Sequence, residues 1–170
     1  HKEYRRQRQM CIRDRNSVKQ ADAFGIVEGG QQLAGMLVLI SDVKSLGQEV
    51  AKGLQFTSGW YWNHDEASRE WAKRYMERTG AAPTFPHAAL YSATTAYLNA
   101  VEAAGTDDAD AVREQLNGMP IDDFFAKGGH IRPDGLLVHD MYLLKVKDSS
   151  ESQGEWAVSY THLTLPTILL

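Results

Sequence analysis

Leu33-Ala-Gly-Met-Leu-Val-Leu-Ile40-Ser41-Asp42 is the stretch on which the fold turns. From Leu33 to Ile40 there is no charge, and a short continuous apolar run fits a strand buried on both faces, as in a parallel sheet. Ser41 and Asp42 follow. Their side-chain oxygens can accept from the free N–H groups of a helix's first turn, so either is a natural N-cap. Beyond them apolar residues recur at Val43, Leu46, Val50 and Leu54, which is helical spacing. Strand, polar cap and helix make one half of a βαβ unit, and the fold class is α/β.

Upstream, Asn16–Phe24 has helical character, with Gly25 as its stop and Glu28–Gln32 as a polar turn. Downstream, Gln55–Trp62 is aromatic and β-prone. Asn63 or Asp65 caps a helix running through Arg78, with Ala67, Trp71 and Tyr75 on one face and Gly80 closing it. Ala81–Pro86 reads as a loop. Leu90–Ala104 reads as a helix whose core face is Leu90, Thr94, Tyr97, Leu98, Val101 and Ala104, ended by Gly105. Asp107 or Asp108 caps a short helix through Leu116. After a Pro133-Asp-Gly135 turn, Met141–Val146 reads as a strand.

The two ends of the chain carry a different message. With suitable codons, Lys2–Asp14 read backwards is the reverse complement of Val158–Leu170 read forwards, without a break from Asp14/Val158 to Lys2/Leu170. Selection on a protein does not produce such a relation; an inverted DNA repeat does. Met10–Asp14 and Val158–His162 resemble the translated end of a transposase-based sequencing adapter. Residues 1–15 and 158–170 are therefore expected to be non-native and are set aside from fold reasoning. The part between them, about 140 residues, suits one ordinary domain. It starts inside a helical stretch, and the reading here is an internal fragment of a longer protein.

Setting the flanks aside changes the charge. The chain has 18 basic and 22 acidic residues. Six basic (Lys2, Arg5, Arg6, Arg8, Arg13, Arg15) and two acidic (Glu3, Asp14) residues lie in the first flank, leaving 12 basic against 20 acidic, a net of −8. A basic N-terminal arm would suggest nucleic acid, whereas the acidic remainder argues against phosphate-backbone binding. The only cysteine, Cys11, is also in the flank, so the remainder has no thiol chemistry.

No catalytic constellation is visible. His64, His87, His130 and His139 are widely spaced and form no metal-ligand set. Neither a Gly-x-Ser-x-Gly elbow nor a phosphate-loop pattern occurs. Asp107, Asp108 and Asp110 lack the later ligands of a calcium loop and read as a capping cluster.

Spaced features across nearly all of the central part carry a resemblance. They are Ala51-Lys-Gly-Leu54 leading into the aromatic strand, Trp71–Tyr75, Tyr91-Ser-Ala-Thr-Thr-Ala-Tyr-Leu98 with Ala100-Val-Glu-Ala-Ala-Gly-Thr106, Phe125-Ala-Lys-Gly-Gly-His-Ile-Arg-Pro-Asp-Gly135, and Met141-Tyr-Leu-Leu-Lys-Val-Lys147. Together they resemble the C-terminal part of a type I periplasmic solute-binding protein of an ABC importer, of the branched-chain amino acid (leucine/isoleucine/valine-binding) kind. The resemblance implies a fragment of a two-lobed Rossmann-like fold. It divides the chain into 16–54, the end of the second lobe's segment; 55–62, a crossover; 63–122, a return to the first lobe; and 123–157, a final crossover and second-lobe strand. Each partial sheet would then expose edges and apolar faces, and the chain alone is expected not to bind ligand.

Five residues are candidates for ligand contact. Ser41 and Asp42 sit where a strand's C-terminal end meets a helix N-terminus, the place where doubly wound sheets bind ligands. The helix dipole and free N–H groups suit a carboxylate, and Asp42 suits an ammonium; simple capping is the alternative. Trp60 and Trp62 share one face of the expected crossover strand and would wall an apolar or aromatic ligand, with core packing as the alternative. Tyr91 begins the helix that matches the family's first-lobe element near the ligand; a buried structural tyrosine is the alternative.

The resemblance implies capture of an amino acid or small carboxylate in the periplasm by hinge closure, and delivery to an inner-membrane ABC permease. The aromatic crossover leaves room for an aromatic acid. It implies no enzyme activity, cofactor, metal or nucleic acid, and a monomer when full length. A ligand-sensing domain of a receptor or regulator with the same fold is the alternative function. A Rossmann-type enzyme ranks last, since no catalytic residues are visible.

Overall fold

The structure is a computed structural model that describes residues 15–151 and, by its backbone, the strand Leu163–Leu165. It contains helices and two small sheets, an α/β chain as expected. Two compact units are present. Among the described residues, one comprises 15–57 with 143–151, the other 58–142.

In the first unit, helix α1 covers residues 15–23 and ends as the sequence predicts. The Ile26 N–H bonds the Ala21 carbonyl at 3.0 Å and the Gly25 N–H bonds that of Asp22 at 2.9 Å, a Schellman ending with Gly25 at C′. Strand β1 is only Ala34–Gly35, not the run from Leu33 to Ile40. It pairs in parallel with β2 (Gln55–Ser58), Ala34 opposite Gln55 and Gly35 opposite Phe56. The sheet order is β1-β2-β6-β7, with β6 at Met141–Lys145 and β7 at Leu163–Leu165, so β1 is an edge strand. With a neighbour on one side only, the run leaves the ladder after Gly35, and Met36 is 92% exposed.

The expected cap is also displaced. Helix α2 spans Ile40–Leu46, with Leu39 at the N-cap. Asp42 lies in the first turn and accepts from the Leu39 N–H at 3.1 Å, so its carboxylate caps from inside the helix and moves the start back to Ile40. Gly47 takes φ 87° and splits the helix expected through Leu54, with α3 following at Gln48–Ala51. The spacing Val43, Leu46, Leu54 still fills the core, joined by Ala51 and Val146.

In the second unit, α4 spans Glu66–Thr79 between Asp65 and a left-handed Gly80, as the sequence predicts. Helix α5 spans Phe85–Ala104, so it begins inside the expected loop 81–86; Pro86, in its first turn, lacks an N–H where none is needed. Its buried residues are Ala88, Ser92, Ala96 and Ala100. The face expected to be core is instead open: Leu90 is 69% and Leu98 58% exposed. Asp108 caps α6 (Ala109–Leu116) through the Ala111 N–H at 3.1 Å. A three-stranded antiparallel sheet follows, β3 (Pro120–Ile121), β4 (Gly129–Ile131) and β5 (Leu137–Val138), the last two joined by the Pro-Asp-Gly turn. The core of this unit comprises Trp60, Trp71, Ala72, Ala88, Ala96, Ile121, Phe125 and Ala126.

Candidate functional site

In the second unit the candidates gather around one aromatic stack. Strand β2 ends at Ser58, so the alternation expected over residues 55–62 does not apply. Trp60 and Tyr61 are both buried, and Trp62 is half-buried against the same cluster that holds Trp60. The Trp60 indole N–H donates to Ser68 Oγ and to the Phe124 carbonyl, each at 3.0 Å. Its ring meets Trp71 edge-on at 5.4 Å. With its one polar atom committed and its ring enclosed, Trp60 packs in the core of this unit, the alternative weighed beside ligand contact.

Tyr91 has a different place. It is 49% exposed and leans edge-on over Trp71 at 5.6 Å and Phe124 at 5.7 Å. Trp71 and Phe124 stack on each other at 4.6 Å with 15° between planes. Next to Tyr91, Ser92 points inward and donates to Asp123 Oδ2 at 2.5 Å. The other Asp123 oxygen accepts from the Phe125 and Ala126 N–H groups at 2.8 and 2.9 Å. This link ties α5 to the loop that carries Phe124, so the stack under Tyr91 is held from both sides. Tyr91 thus presents a phenol on a fixed apolar shelf. Phe124, Ser92 and Asp123 were not singled out in the sequence. The signal was faint: an aspartate two residues before Phe125, in the spacing of an Asx turn.

A second polar group lies around Tyr142. Its hydroxyl is 3.2 Å from His64 Nε2. Burial, then the Asp140 and Asp65 carboxylates, hold the phenol above the ordinary tyrosine pKa. Tyr61 is pushed up as well, by burial. Burial would raise Asp65, but the hydrogen bond from the Ser68 N–H, with His64 and Lys127 nearby, outweighs it and lowers the carboxyl.

In the first unit, Ser41 is exposed in the first turn of α2 and Asp42 is half-buried. Both Asp42 oxygens are engaged, Oδ2 by the Leu39 N–H and Oδ1 by Arg15 at 3.2 Å. Arg15 belongs to the flank read as non-native. Among the described residues, no group of three or more His, Cys, Asp or Glu could hold a metal ion.

A family model described as periplasmic binding protein matches residues 15–154, and the chain belongs to that family. Its solved relatives make it a type I member, of the kind found in branched-chain amino acid ABC transporters. A periplasmic binding protein from Burkholderia mallei is 48% identical with a TM-score of 0.82, over 90% of this chain and 40% of that one. A branched-chain amino acid ABC transporter periplasmic ligand-binding protein from Burkholderia xenovorans LB400 is 37% identical with a TM-score of 0.80, over 88% and 40%. A solute-binding protein of an ABC transporter from Rhodopseudomonas palustris HaA2, solved with p-hydroxybenzoic acid, shares the fold at 21% identity and a TM-score of 0.70, over 86% and 40%. The chain therefore spans 40% of the length of each of these structures. No curated protein sequence matches it.

Proposed function

We propose that the chain is part of the solute-binding component of an ABC importer. That component captures a branched-chain or other amino acid, or a small carboxylate, in the periplasm and delivers it to an inner-membrane permease. The observation that carries this reading is the 37% identity and 0.80 TM-score, over 88% of the chain, to a ligand-binding protein of a branched-chain amino acid transporter. Binding is by hinge closure: a ligand that gains contacts on both lobes only when they close shifts the equilibrium toward the closed form. The candidate contacts are Tyr91 and Trp62, and, separately, Ser41 and Asp42. Trp60 supports the aromatic shelf from behind. Residues 16–54 and the strand that ends the 123–157 segment form one lobe's share and 63–122 the other's, with crossovers at 55–62 and at the start of 123–157.

Calorimetric titration of the complete protein tests the reading. Leucine, isoleucine, valine and p-hydroxybenzoate are the first panel, and at least one binds with a Kd of about 1 μM or tighter, about −8 kcal/mol. Tyr91→Ala weakens that binding about tenfold or more. A complete protein that binds no amino acid and no small carboxylate would overturn the proposal.

A further inference from the structure

The chain has four asparagines, Asn16, Asn63, Asn99 and Asn117, and only Asn117 is followed by glycine. An asparagine side chain can be attacked by the main-chain nitrogen of the next residue, and a side chain on that residue obstructs the approach; glycine has none. Place and partners set Asn117 apart as well. It is the C-cap of α6, exposed, at φ −62° and ψ 118°, outside the helical region. Its N–H closes the helix on the Arg113 carbonyl at 3.1 Å, but no hydrogen bond holds its side-chain amide among the described residues. Gly118 takes φ 73°, with open space beside its α-carbon. By contrast, Asn99 lies inside α5, where helical geometry fixes its main chain, and Asn63 Oδ1 accepts from Arg69 at 3.5 Å.

We propose that Asn117 is a site of spontaneous deamidation, gated by one main-chain hydrogen bond. The Gly118 nitrogen gives its proton to water or hydroxide and bonds to Asn117 Cγ. The Cγ–Nδ2 bond breaks, ammonia leaves, and a succinimide ring closes. Water then opens the ring at either carbonyl, to aspartate or to isoaspartate. One water is consumed and one ammonia released, and nothing is oxidised or reduced. In the folded chain that nitrogen is engaged: the Gly118 N–H donates to the Ile131 carbonyl at 3.0 Å, tying the end of α6 to β4. Attack therefore waits for this junction to open, a local event that needs no global unfolding. Either product puts a carboxylate at the C-terminal end of α6, where the helix dipole opposes it. Isoaspartate also lengthens the main chain by one carbon just ahead of Gly118, so the Ile131 bond loses its register. The converted junction is weaker than the original. The site is independent of which ligand the complete protein captures.

The test follows tryptic peptides of the full chain during incubation at mildly alkaline pH. Cleavage after lysine and arginine puts Asn63, Asn99 and Asn117 in three separate peptides, 53–69, 79–113 and 114–127. The 114–127 peptide should gain the mass difference between a hydroxyl and an amino group and split into aspartyl and isoaspartyl forms, while Asn63 and Asn99 stay intact. A synthetic 114–127 peptide, which lacks the Ile131 carbonyl, should convert about tenfold or more faster than the folded chain, and urea should bring the chain up to the peptide's rate. Gly118→Ala in the synthetic peptide, where no fold can be disturbed, should slow conversion. After conversion of the chain, amide hydrogen exchange should quicken at Gly118 and not in α4. Asn117 still intact when Asn63 or Asn99 has begun to convert would overturn the proposal. Equal rates in the folded chain and the synthetic peptide would overturn the gating by Ile131.

Discussion

Trp60 shows how one buried side chain can hold its neighbours in place. Its N–H serves the Phe124 carbonyl, which also accepts from Ser68 Oγ at 3.1 Å. Trp60→Phe keeps the ring packing and leaves that carbonyl one partner, so it should cost about 1–2 kcal/mol. Trp60→Ala opens a cavity and should cost about 3–5 kcal/mol. Urea unfolding followed by circular dichroism separates the two. Asp65 gives a second residue-scale expectation. Its carboxylate accepts from the Ser68 N–H at 2.7 Å as the N-cap of α4, and Asp65→Ala should cost about 1 kcal/mol near neutral pH. Its native pKa lies below the ordinary 3.8, so the ionised form is favoured by folding. That contribution is present above the unfolded pKa and is lost as pH falls through it towards the native value. The Tm gap between wild type and Asp65→Ala should therefore hold down to about pH 5 and narrow as pH falls below the unfolded pKa. An unchanged gap would show that the carboxylate's charge does not matter. The capping role of Asp65 was legible because a cap is a local device, set by one residue and the three after it. The fate of Trp60 was not, because it depended on where β2 ends.

At the scale of elements, the helices whose ends are local events stand where the sequence put them. Gly25, Gly80 and Gly105 end their helices, and Asp108 starts α6. The apolar run at Leu33–Ile40 was misread because a short run without period does not separate a strand from a turn leading into a helix. Helix α5 was misread for a different reason. Periodicity finds an apolar face by contrast with a polar one, and α5 offers alanines and a serine on one side and leucines and tyrosines on the other. The larger side chains were expected inside; the small ones are, because they let α5 approach its neighbours closely. Ala100 is fully buried and Leu98 is 58% exposed. In this chain, Ala100→Leu should overpack the contact and cost about 1–3 kcal/mol, while Leu98→Ala should stay within about 0.5 kcal/mol. Thermal melts of the two variants decide it, and the reverse order would mean the helix is turned the other way.

For the whole molecule the decisive quantity is how much of a ligand's binding free energy one piece can supply. A closing protein gains affinity from contacts that exist only when both lobes engage the ligand, and a ligand shifts an equilibrium only by its differential affinity for the two states. The described part offers Tyr91 on its shelf and Ser41 beside an engaged Asp42, while the chain spans 40% of its relatives' length. A carboxylate resting on Tyr91 alone, or on the exposed first turn of α2 alone, keeps most of its hydration, and such a contact amounts to about 1 kcal/mol. That is far short of the roughly −8 kcal/mol that micromolar capture needs. A ligand at 100 times its Kd stabilises the protein by about 2.7 kcal/mol, which melting curves resolve easily. This chain alone should thus show a Tm shift below about 1 °C in about 10 mM leucine, valine or p-hydroxybenzoate, whereas the complete protein should shift by several degrees. A shift of similar size in the chain alone would place the whole affinity in the described residues. Capture would then need no closing partner lobe, and the hinge mechanism proposed here would fall.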